Sequence, residues 1–106
     1  MLPPVVVAAA LYVLGQFRGA GMREDADLLA RSLAAAEVGE LSAAQRIVLE
    51  QGERIGAGGL APPEDAFWKV RAALDDLGLS PPLVMGTAKS LIAGFARGAS
   101  AGRVLH

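Results

Sequence analysis

Three pairs of adjacent carboxylates, Glu24-Asp25, Glu64-Asp65 and Asp75-Asp76, are the side chains of this 106-residue sequence best suited to acid–base work or to holding a divalent cation. Either role needs partners that the chain withholds. There is no cysteine, and the one histidine is His106. Those counts exclude a thiolate nucleophile, a disulfide frame and a multi-histidine metal site. Ser32, Ser90 and Ser100 have no internal histidine to activate them. Two of the acidic pairs fall in expected first turns of helices, where negative charge offsets the helix dipole. Asp75-Asp76 falls near a helix end, where it does not, so it is the pair of most interest. Solvation or an ion pair accounts for it without catalysis. The glycine-rich residues 52–59 lack the lysine and hydroxyl of a phosphate loop. They read as a helix stop. The expectation is a protein that is not an enzyme and carries no cofactor and no metal.

Contact chemistry is better represented. Gly86, Ser90, Gly94 and Gly98 recur every four residues, which lines small side chains along one strip of a helix. Such a strip lets a second helix backbone approach closely. Glycine inside a helix costs up to about 1 kcal/mol relative to alanine, so these positions need a reason. The strip predicts a helix–helix contact, either between subunits or with the first helix of the same bundle. Trp68 lies off the main apolar stripe of its helix and is a candidate partner anchor. Tyr12 and Phe17 sit in an apolar helix that either centres the bundle or meets a neighbour; the Tyr12 hydroxyl is expected to be hydrogen-bonded. Together Tyr12, Phe17, Trp68, Gly86, Ser90, Gly94 and Gly98 form the expected interface set.

Five helices must position these residues, at about 4–18, 24–37, 43–55, 63–77 and 81–97. Proline pairs at 3–4, 62–63 and 81–82 each precede an apolar periodic stretch. Proline suits a first helical turn, whose N–H groups have no partner in any case. Ser80 is placed to cap the last helix. Glu24, Asp25 and Asp27 favour a start there, and Gly39 is the expected cap at the other end. Ser42 and Gln45 have the spacing of a capping box. Residues 56–59, with three glycines, end the helix that follows.

The apolar periodicity predicts the inward faces. Ala44, Ile47, Val48 and Ile55 share one, and Phe67, Val70, Leu74 and Leu77 another. Val84, Ala88, Leu91, Ile92 and Phe95 form the third. The first helix is apolar all round, as a central or intersubunit helix would be. The fold expected is all-α, a compact bundle of about five short helices in a single domain spanning residues 1–106.

Composition bears on partners. Apolar residues make up 53%, and 13 glycines add to that, giving a mean hydropathy of +0.40. This exceeds the usual roughly 45–50% with glycine counted. The excess predicts an alanine-rich interior together with apolar surface that a partner covers. The net charge of −1 argues against a basic nucleic-acid coat. Its distribution is uneven: all 11 acids lie within residues 21–76, while residues 77–106 hold only Lys89, Arg97 and Arg103. Arginine in excess of lysine, with no asparagine, points weakly to GC-rich coding and a bacterial or phage source.

The apolar run at residues 2–17 has no basic stretch before it, so no signal peptide is expected. At 16 residues it falls short of the roughly 20 that a membrane span needs. No transmembrane segment is expected, and the location expected is the cytoplasm or a larger particle.

Residues 73–91 resemble a helix-turn-helix, with Gly78 in the turn and Leu79 and Val84 after it. The resemblance covers about a fifth of the chain, and it implies a small DNA-binding regulator using Lys89, Arg97 and Arg103. Its second helix offers Met85, Thr87, Lys89 and Ser90, without the arginine, asparagine or glutamine that read bases best. Two apolar helices could instead lie on a membrane surface. The leading expectation is a structural or interaction subunit with protein partners, assembling through apolar helices into a homo-oligomer or a larger complex such as a virion.

Overall fold

Pro3 and Pro4 start the first helix, α1 (Pro4–Gly19), and the Pro3 carbonyl accepts from the Val6 and Val7 amides at 3.0 and 3.1 Å. The Val5-Val6-Val7 run is helical despite its strand propensity, because the alanines that follow and burial on every side outweigh it. In this computed structural model, residues 2–59 and 63–104 are described, with side chains through Ala96.

Every residue from Val7 to Gly15 is buried, as is Phe17, so α1 is the axis of the bundle. Around it stand α2 (Arg23–Ala35), α3 (Ala43–Ala57) and α5 (Pro81–Val104). α4 (Glu64–Asp76) packs on α3 and touches α5. The described residues contain no strand. The fold is the all-α helical bundle that the periodicity predicts.

The α1–α3 contact is the most extensive in the molecule, and four glycines make it. Gly15 faces Gly52, Gly19 faces the backbone of Glu53 and Ala57, and Gly56 faces that of Gln16. A Cβ on Gly52 would lie 2.6 Å from the Tyr12 carbonyl oxygen, and one on Gly15 would lie 2.8 Å from the Glu53 amide. A Cβ on Gly56 would strike the Gln16 carbonyl. Two backbones thus meet without side chains between them. Gly56 is therefore a packing residue rather than the expected helix stop, and α3 continues through it to Ala57.

The caps follow local chemistry with two departures. Ser42 and Gln45 form both halves of the capping box, at 2.9 and 3.2 Å. α1 and α4 end at Gly21 and Gly78, with φ of 78° and 71°, each inside a six-residue closing bond: Met22 to Phe17 and Leu79 to Leu74. At the end of α2 the left-handed position belongs to Glu37 (φ 63°), with Val38 bonded to Leu33; Gly39, the expected cap, lies two residues beyond. At the start of α5 the Ser80 carbonyl accepts from Val84 at 3.0 Å, and no described bond uses its hydroxyl.

The core is small-residue-rich. Ala8, Ala9, Val13, Val48, Ala66, Leu74 and Val84 are buried almost completely. Three expected inward residues turn out to be exposed: Ile47, Phe67 and Ile92. On α4 the buried stripe is Ala66, Val70, Ala73 and Leu74, which rotates Phe67 outward. On α3 it is Val48, Gln51, Gly52 and Ile55, set by the glycine contact with α1.

Candidate functional site

α5 presents two different faces. Val84 and Ala88 are buried, with Leu91 and Phe95 partly so, and this face lies on α1. The Phe95 ring meets Phe17 edge-on, with centroids 5.3 Å apart and planes at 72°. The other face carries Gly86, Ser90 and Gly94, all exposed. A Cβ added at Gly86 or Gly94 meets no atom within 4 Å. The expected packing of this strip against the first helix is therefore corrected. α1 meets the apolar face of α5, and its close glycine contact is with α3.

Beside the strip, α2 and α5 leave a groove of about 620 Å³. Leu28 of α2 and Leu91 and Phe95 of α5 supply its apolar lining. Ser90 and Gly94 form the α5 wall, and Glu24 and Asp25 lie along the α2 side. Leu28 is 52% exposed. Ala26, Leu29 and Leu33 are the buried residues of α2, and Leu28 falls off that stripe, leaving an apolar side chain in the groove. The Ser90 hydroxyl donates to the Gly86 carbonyl at 3.2 Å, and that of Thr87 to Leu83 at 2.9 Å. Both hydroxyls are satisfied within their own helix, so covering this wall strands no side-chain donor.

The expected interface residues are distributed unequally. Tyr12 and Phe17 are 6% and 4% exposed and pack inside the chain's own core. Burial pushes the Tyr12 phenol above its ordinary pKa. Its hydroxyl is not among buried side-chain atoms left without a partner, since the described residues have none. Trp68 is 63% exposed on α4, with the Arg71 guanidinium 6.0 Å from its ring centre, and neighbouring Phe67 is also exposed. Ser90 and Gly94 line the groove, and Gly86 continues the same exposed face. Lys89 is exposed. Gly98, Arg97 and Arg103 lie where only the α5 backbone is described, outside the described side chains. The reading from sequence assigned no contact role to Leu28, Glu24 or Asp25. A signal was present in the Leu28-Leu29 doublet, only one of which a helix can turn inward.

The acidic pairs part company. Asp65 joins α4 to α3: Arg54 donates to both of its oxygens, at 2.9 and 3.4 Å, and also to Gln51 at 3.2 Å. Lys69 stands 3.6 Å from the same carboxylate. The Arg54 hydrogen bond and these charges hold the Asp65 carboxyl below its ordinary range. Asp75 and Asp76 are exposed, and neither lines the groove or the smaller cavity of about 160 Å³ between α1, α2 and α3. Among the described residues, no three acidic, histidine or cysteine side chains gather as a cation would need. No described helix is long and apolar enough to cross a membrane. No family model, curated protein or solved structure matches the chain.

Proposed function

We propose that this protein is a non-enzymatic interaction subunit that assembles with itself, and through further apolar contacts into a larger complex. The observation that carries the reading is the groove between α2 and α5. It has an apolar lining, and the glycines of its α5 face have nothing against them. Trp68 and Phe67 on α4 offer a second apolar contact, of the aromatic kind that anchors partners.

Light scattering behind size exclusion, in detergent-free buffer, tests the reading. A discrete oligomer is the expected result. A single species of 10.9 kDa at every concentration would remove self-assembly.

A further inference from the structure

One side of α4 is in use and the other is open. The inward stripe is Ala66, Val70, Ala73 and Leu74, which packs chiefly on α3. Away from it lie Glu64, Phe67, Trp68, Arg71 and Asp75, all exposed. Asp65 and Lys69, between the two sides, are joined to each other, and Asp65 also to Arg54. Among the described residues, Glu64 and Arg71 enter no ion pair; the Arg71 guanidinium stands 6.0 Å from the Trp68 ring centre. The open side is complementary to itself. Glu64 stands three residues before Phe67, and Arg71 three residues after Trp68. Reversing the helix about the midpoint of Phe67 and Trp68 exchanges the acid with the base and one aromatic ring with the other.

We infer that the open side of α4 receives α4 of a second copy, antiparallel and crossing between Phe67 and Trp68, with Glu64 of each against the partner's Arg71. The inference rests on the self-assembly proposed above and supplies the contact that takes it beyond a pair built through the groove. The contact is isologous. At its centre each Trp68 meets the partner's Phe67, and an ion pair closes either end. Asp75 then falls just ahead of the partner helix's N-terminus, where negative charge is favoured. A parallel pair would set Glu64 against Glu64 and Arg71 against Arg71, so like charges exclude it. An antiparallel register that paired Arg71 with Asp75 would cross at position 73 and carry both aromatic rings out of the centre. At 13 residues α4 is about 20 Å long and about 10 Å wide, so the contact covers well under the roughly 800 Å² per partner of a standard interface. It is a weak contact, suited to joining copies already held together elsewhere.

The exposed positions give a clean test, since none of Glu64, Trp68 and Arg71 belongs to the buried stripe of α4. Sedimentation velocity over a concentration series at low salt follows each association step, and circular dichroism checks that the helices are kept. Trp68→Ala is expected to raise the concentration needed for species larger than a pair at least about tenfold. E64R and R71E each set like charges across the contact and are expected to do the same. The double change E64R/R71E restores both ion pairs in the antiparallel register and is expected to recover the wild-type steps. Association unmoved by Trp68→Ala, or a double change that recovers nothing, overturns this contact while leaving self-assembly standing. A wild type that stays a single chain at every concentration overturns both.

Discussion

Asp65 ties two consecutive helices, α3 and α4, together through one carboxylate. Arg54 reaches it from α3 at 2.9 and 3.4 Å, while Lys69 approaches from the next turn of α4 at 3.6 Å. The Arg54 hydrogen bond, more than the surrounding charge, lowers its pKa below the ordinary 3.8. A carboxyl with a lower pKa in the folded state stabilises the fold above its unfolded value and loses that contribution as pH falls through the folded one. Both side chains of the bridge are solvent-exposed, so salt screens the effect. Asp65→Asn is therefore expected to melt below the wild type at neutral pH and low salt. The gap should close as the pH drops below 3.8. Melting curves across that range check it. A gap that persists in acid would mean that the charge of Asp65 is not what ties α4 to α3.

At the scale of elements, the same substitution is expected to have opposite signs in two helices. Gly52→Ala drives a methyl to 2.6 Å from the Tyr12 carbonyl oxygen, in a contact made of backbone on both sides. Neither side can yield by rotating a side chain, so a loss of about 1–3 kcal/mol, the usual range for overpacking, is expected. Gly94→Ala meets open space and removes a poor helix former, so a gain of up to about 1 kcal/mol is expected. Urea unfolding followed by helical circular dichroism separates them, and two changes of the same sign would refute the assignment of faces. This contrast also marks what the sequence makes legible. Element positions are legible because proline pairs and the Ser42–Gln45 box act on their immediate neighbours. Element facing is not, since Gly15, Gly19, Gly52 and Gly56 have the same four-residue spacing as Gly86, Ser90 and Gly94. Only the fold decides which set meets a backbone. Glu37 takes the left-handed cap in place of Gly39 for a similar reason. The apolar stripe of α2 ends with Leu33, and Val38 closes back on its carbonyl before Gly39 is reached. The groove combines both lessons. Its α5 wall is readable as a small-residue repeat, whereas Glu24 and Asp25 also serve the dipole of α2 and so signal nothing further by themselves.

For the whole molecule, the self-assembly proposed above has two exposed apolar regions to draw on. The groove belongs to α2 and α5, and Trp68 belongs to α4, which packs chiefly on α3. Trp68 does not line the groove, so a pair of the kind proposed, built through the groove, would leave it uncovered. Growth beyond a pair requires a second surface, and Trp68 with Phe67 is the exposed aromatic one. Trp68 is the only tryptophan, so its emission reports on that surface alone. Acrylamide quenching is expected to be the same for the concentrated pair as for the diluted single chain. Protection is expected only in larger species or with a heterologous partner. The helical signal at the same concentrations distinguishes assembly from folding, because dissociation of a folded pair leaves it unchanged. Quenching that falls in step with pair formation would put Trp68 in the first contact, and the α2–α5 groove would then be free for the second.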